Sequence, residues 1–215
     1  MNSRSLSAVD SGSFRDRDGR IYRNGDRIIR GISADALAEF KKLESTAFYN
    51  RFLKDGLLVD SDLLSAEDVD LPRAIVQQWA GFIEHQRIPV ISYPYEWTFG
   101  MLRDAALLQL DLLEAAIGEG MTLKDATPYN IQFDAGKPVF IDIASFETLP
   151  AGAPWAGYRQ FCEMFLFPLM LQAYKGIHFQ PLMRSCIDGI GVQTAAKLFG
   201  FRDRLRAGVL THVWL

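Results

Sequence analysis

The stretch "TFGMLRDAALLQLDLLEAAIGEG" (98–120) constrains the fold more than any other part of the chain. Leu102, Ala106, Leu110, Leu113 and Ile117 recur at helical spacing, and Gly118 and Gly120 supply a stop. A long helix here divides the chain into unlike parts. Before it, "RDGRIYRNGDRIIRGI" carries Asp-Gly at 18–19 and Asn-Gly at 24–25, pairs that tolerate the positive φ of tight hairpin turns. Strands near Phe14–Arg17, Arg20–Arg23 and Arg27–Ile32 are expected in a three-stranded meander. Ser33 reads as an N-cap, with Asp35 in the first turn of a helix to about Glu44.

"GLLVDSDLL" (56–64) then reads as a strand, Pro72–His85 as a helix, and "RIPVISYPY" (87–95) as a strand that runs out at Pro94. After the long helix come a polar loop, a strand pair at "NIQF" and "PVFIDI", and a helical tail. This order predicts an α+β fold with a small β-rich lobe over 1–92, a larger, mostly helical lobe over 93–215, and a cleft between them.

Composition removes several classes. At 215 residues, 49% of them hydrophobic and 12% aromatic, the chain can build a substantial core, and only "MNSRSLSA" at its start reads as disordered. Basic and acidic residues number 23 and 26, a net −3, which argues against a nucleic-acid partner. The basic cluster from Arg15 to Arg30 is interleaved with Asp16, Asp18 and Asp26, and reads as a solvated hairpin face. Cys162 and Cys186 lack metal or redox spacing and read as buried thiols in a reducing cytoplasm. His85, His178 and His212 are scattered and read as structural or exposed. No signal peptide is visible, and "FCEMFLFPLMLQAY" (161–174) is too short and too interrupted to span a membrane, so a buried helix is expected there.

Chemistry concentrates in "TLKDATPYNIQFDAGKPVFIDIASFE" (122–147). Asn130 lies five residues after Asp125, and Asp142 ends the apolar run "PVFID". One reading is ordinary turn chemistry, since Asp, Asn and Pro are loop residues. The other is phosphoryl transfer. There a carboxylate orients an acceptor hydroxyl, while an amide oxygen and a second carboxylate hold magnesium against nucleotide phosphates.

These residues resemble the protein-kinase-like fold, in particular aminoglycoside phosphotransferases and choline-kinase-like enzymes. "DATPYN" matches that family's D-x-x-x-x-N loop with Pro two residues before the Asn, and Asp142 in "FIDIAS" matches its strand-end Asp. The resemblance implies Asp125 as the catalytic carboxylate, Asn130 and Asp142 as metal ligands, and ATP and Mg2+ as cofactors. The family's His before the Asp is Leu123 here, its Gly after the metal Asp is Ala144, and no G-x-G-x-x-G is present. Lys124 stands beside the catalytic position. Arg30 is the substitute for the nucleotide-clamping Lys, with Glu39 or Glu44 as its ion-pair partner; its other reading is a surface strand residue. Tyr93, Tyr95, Glu96 and Trp97 fall where the family's hinge meets the adenine, or else form a packed aromatic cluster. Trp155, Tyr158 and Arg159 line an acceptor site on this reading, or else pack in the core.

A second resemblance runs over nearly the whole chain. "SYPYEWTFGMLRDAALLQLDLL", "TLKDATPYNIQF", "FIDIASFE" and "GYRQFCEMFLFPLMLQAYKG" are similar to the N-terminal region of NoeA-like nodulation proteins, also described as S-adenosylmethionine-dependent methyltransferases. It implies that a methyltransferase domain follows and that S-adenosylmethionine belongs to that domain. Three functions follow as expectations: a phosphotransferase for a small hydroxylated acceptor, a nucleotide-binding pseudokinase attached to a methyltransferase, or a binding module without nucleotide. None calls for a membrane.

Overall fold

A computed structural model describes Ala8–Val9, residues 18–65 and residues 67–214. Its first third is a five-stranded antiparallel sheet. Strands β1 (Ala8–Val9), β2 (Gly19–Asn24) and β3 (Arg27–Ile32) form the meander. The strand expected at Phe14–Arg17 lies outside the described residues, and the first strand is two residues at Ala8–Val9. Asn24 pairs with Arg27 across a two-residue Gly25–Asp26 turn.

Helix α1 (Ala34–Glu44) starts where Ser33 accepts a bond from Ala36 N, as the capping pattern requires, and α2 (Ala47–Lys54) follows. Strand β4 (Ser61–Leu63) and the short helix α3 (Arg73–Val76) lead to β5 (Gly81–His85). The sheet order is β1-β2-β3-β5-β4.

Strand β5 corrects the expected helix at Pro72–His85, of which only one turn forms. Residues 81–85 pair with β3 on one side and β4 on the other, and the ladder they complete outweighs a weak local helical pattern. Gly31 on β3 fits this packing. The indole of Trp79 lies 2.5 Å from where a Cβ would stand, so only glycine lets the ring cover the strand. Residues 87–95 form no strand either; Pro89 and Pro94 remove two ladder donors, and the segment bends into a single 3₁₀ turn at Pro94–Glu96.

Helix α4 (Phe99–Gly118) forms as the sequence requires, capped by Thr98, and Leu102, Ala106 and Leu113 of the expected face are buried. Its buried face is wider than expected and shifted, taking in Ala105, Leu108, Gln109, Leu112 and Ala116 while Leu110 and Ile117 are exposed. Strand β6 (Met121–Leu123) precedes the polar loop. Strands β7 (Ile131–Asp134) and β8 (Lys137–Phe140) form the expected hairpin, turned at Ala135 and Gly136, whose φ values of 46° and 81° suit a two-residue loop. Strand β9 (Phe146–Thr148) pairs with β6, so the residues flanking the loop are tied together at both ends.

A helical tail follows: α5 (Tyr158–Phe161), a π-turn at Cys162–Leu166, then α6 (Phe167–Lys175), α7 (Phe179–Ser185) and α8 (Val192–Leu198). The π-turn precedes Pro168, whose missing N–H cannot serve a regular ladder. "FCEMFLFPLMLQAY" is thus the buried helix expected. Among the described residues no helix is long and apolar enough to cross a membrane. Both cysteines are free, Cys162 buried as expected but Cys186 exposed.

The architecture is α+β. Its principal core runs from Ile32 on the sheet through Leu102 and Leu112 of α4 to Phe140, Phe165 and Met183, drawing on both sides of residue 92. A second core, around Phe167, Leu171, Ile190 and Phe199, lies within the tail.

Candidate functional site

The loop between β6 and β7 is fixed from several directions. Thr127 Oγ1 accepts from Tyr129 N, Pro128 opens a 3₁₀ turn, and Lys124 N donates to Ser145 O at 2.9 Å. Buried Gln109 of α4 donates to Asp125 O at 3.2 Å, and Gln160 of α5 accepts from Ala126 N at 2.8 Å.

On this frame Asp125 Oδ1 accepts two hydrogen bonds, from Asn130 Nδ2 at 2.9 Å and from Ser145 Oγ at 2.6 Å. Asn130 uses its NH2 on that contact, and among the described residues no donor meets its amide oxygen. Burial pushes the Asp125 carboxyl above its ordinary range, and the nearby charge of Asp142 pushes it the same way. The bonds from Ser145 and Asn130, and the charge of Lys124, oppose the shift without cancelling it.

Asp142 stands two residues beyond β8, about a quarter exposed, and meets Arg30 NH2 at 2.9 Å in an ion pair. Its Oδ1 is buried and accepts no hydrogen bond, so charge rather than a directed N–H holds it. Arg30, on β3, is buried and so is not the surface strand residue of the alternative reading.

Asp125, Asp142 and Lys124 line one cavity of about 690 Å³ between α1, β3, β9 and the loop. Its walls also carry Asp18, Asp35, Glu39 and Glu147, so six carboxylates face one lysine among the described residues. Bare phosphate is repelled from such a cavity, whereas a divalent cation is attracted. Among the described residues no three His, Cys, Asp or Glu side chains converge as a self-sufficient metal site. Oxygen donors such as the Asn130 amide and the Asp142 carboxylate are of the type a hard cation takes, although Asp142 is paired with Arg30 here and Asn130 is not among the residues lining the cavity.

Other expected residues fall elsewhere. Neither Glu44 nor Glu39 pairs with Arg30. Glu44 titrates high through burial and the charge of Asp62, and Glu39 accepts from Thr148 N and Oγ1. Tyr93 and Tyr95 stack on each other at 5.4 Å and line a separate cleft, not the Asp125 cavity. Glu96 accepts from Tyr93 N, and Trp97 is buried with its ring edge on Phe133 at 5.1 Å, a packing role. Trp155 donates to Leu123 O and packs against Phe161 at a tilt, Tyr158 meets His212, and Arg159 pairs with Glu163; none lines the cavity. Ser145, Gln109 and Gln160 were not anticipated. A lone Gln on an otherwise apolar helix face was the one available signal, and it pointed to Gln109.

No protein-family profile matches the chain. Nodulation protein NoeA of Rhizobium meliloti (strain 1021) is 34% identical over 205 residues, covering 95% of this chain and 42% of that protein. This chain is similar to a nodulation protein. It spans less than half the length of that relative, and the NoeA-like resemblance holds at that level. Among solved structures, the high-resolution crystal structure of WbdD aligns at a TM-score of 0.37 and 16% identity, over 68% of this chain and 34% of that one. A likeness at that level fixes neither fold nor chemistry.

Proposed function

We propose that this chain is a kinase-like domain that binds ATP with magnesium and transfers phosphate to a small hydroxylated acceptor. One observation carries the reading: Asp125 and Asp142, separated by loop and hairpin, line one cavity, with Asp125 bonded to Asn130. Turn chemistry alone does not require that convergence. ATP with magnesium, when bound, supplies the phosphoryl group and the positive charge that the cavity lacks. Asp125 would orient the acceptor hydroxyl and take its proton as the γ-phosphoryl group passes to that oxygen and its bond to the departing ADP breaks. Asn130 and Asp142 would hold the cation through the amide oxygen and the carboxylate. Arg30, which pairs with Asp142 at 2.9 Å, would have to release that carboxylate to the cation, and its guanidinium is suited to phosphate oxygens.

A second reading is supported by the Arg30–Asp142 ion pair, which occupies the carboxylate proposed for the metal. On that reading the domain is a pseudokinase whose nucleotide regulates an attached or associated methyltransferase. Thermal unfolding with and without ATP and magnesium tests binding. A ligand that binds only the folded state raises the midpoint by mass action, and Asp142→Asn should abolish most of that rise. Equal shifts in wild type and variant would remove Asp142 from the metal. Binding without turnover on any hydroxylated acceptor would favour the regulatory reading.

A further inference from the structure

The loop that carries Asp125 has a second side. There a cleft of about 480 Å³, within the usual range for small-molecule sites, is lined by Tyr93, Tyr95, Tyr129, Thr127, Gln160 and Asp188. Met164 and Ile187 complete an otherwise apolar wall. We propose that this cleft binds an uncharged saccharide.

The shape argues for a flat ligand. Tyr93 and Tyr95 lie 7° from parallel with centroids 5.4 Å apart, an offset stack that leaves part of each face open. Tyr93 remains 44% exposed, a large aromatic surface left toward solvent at the rim of a cleft. Parallel rings make a platform rather than a box. A box of rings at several angles encloses an ammonium group, whereas a platform suits the C–H face of a pyranose, whose weakly positive hydrogens meet the negative ring face.

The polar groups around the platform match hydroxyls. Gln160 uses its carbonyl on Ala126 N, which leaves its NH2 free to donate. The Thr127 hydroxyl accepts from Tyr129 N and keeps its own proton to give. Asp188 is an exposed carboxylate with no ion-pair partner among the described residues, and it accepts. Donors and an acceptor around an apolar face fit a polyol. Charge narrows the class further: no lysine or arginine lines the cleft among the described residues, so phosphorylated or acidic sugars and nucleotides lack a counter-charge.

This inference goes beyond the phosphotransfer reading and does not depend on it, because it concerns binding alone. Isothermal titration calorimetry of the full chain with cellotriose, maltotriose and mannotriose tests it, with choline as the cationic probe and trigalacturonic acid as the anionic one. At least one neutral trisaccharide should bind at millimolar concentration or below. Tyr95→Ala should weaken that binding by roughly tenfold, the scale of losing one aromatic stacking contact. Exposed Tyr93→Ala should weaken it in the same direction and serves if the Tyr95 variant fails to fold. Asp142→Asn should leave saccharide affinity unchanged even where it abolishes the ATP shift, which separates the two sites. Heat from choline or trigalacturonate and none from the neutral sugars, silence from all the probes, or saccharide binding indifferent to both tyrosines would each overturn the proposal.

Discussion

Asp125 and Asp142 face the same cavity, yet the chain holds them in opposite ways. Asp125 sits on a loop fixed by neutral partners, Asn130 and Ser145, and the protein disfavours its charge. Asp142 sits at the end of a hairpin and is held by a buried guanidinium from the distant sheet. The first arrangement keeps a carboxylate oriented and basic, as a group that handles a hydroxyl proton needs. The second sets a carboxylate against a protein cation, in the place a metal would take. On the proposed function, one carboxylate is tuned for proton transfer and the other for metal.

The largest expected effect falls on Asp125. If its work is done in the transition state, Asp125→Ala should cut phosphate transfer by roughly a hundredfold or more, the scale of a positioned acid–base group. ATP affinity should stay within a few-fold of wild type, because the metal ligands remain. Parallel loss of binding and turnover would show that both carboxylates serve the metal, and the distinction between them would collapse.

Arg30→Met comes next. Removing the guanidinium leaves the Asp142 charge partly buried without its counter-ion, where breaking a fully buried pair costs about 3–5 kcal/mol. Asp142 is 27% exposed on its side chain, so the expected loss is smaller, about 2 kcal/mol by urea unfolding. Adding magnesium should recover part of it, since the metal then supplies the missing positive charge. A loss that magnesium does not touch would make Arg30 a structural residue of β3 and nothing more.

The two carboxylates also differ in how much of their setting was legible. Asp125, Asn130 and Asp142 lie within one stretch, and their spacing together with the Pro and the apolar strand brought them to notice as a set. The cap at Ser33, helix α4 and the β7–β8 hairpin were legible for the same reason: the capping oxygen, the helical repeat and the Gly136 turn act within a few residues of themselves. Arg30 was noticed, but its partner was not, because the contact spans more than a hundred residues and depends on how β3 approaches the hairpin. Strand β5 was misread as helix because its identity comes from two neighbouring strands rather than from its own five residues. Gln160 and Ser145 were invisible for want of any motif; only the packing of α5 and the β6–β9 pair brings them to Asp125 and its loop.

The smallest expected effect is a gain. Because burial and Asp142 raise the Asp125 pKa above its unfolded value, the native state binds more protons than the unfolded chain between those two values. Stability from this group is therefore fully present below the ordinary aspartate range and is lost as pH rises through the raised native value. At neutral pH the wild type carries the whole cost of a charged, partly desolvated carboxylate. Asp125→Asn removes that cost while keeping an oxygen to accept from Asn130 and Ser145, so its thermal midpoint at pH 7 should rise by a few degrees at most. The advantage should shrink on acidification and vanish below the unfolded aspartate pKa of about 3.9. A variant less stable than wild type at neutral pH would mean that the hydrogen bonds to the charged form outweigh its desolvation. Asp125 would then be held by its neighbours as firmly as Asp142 is by Arg30.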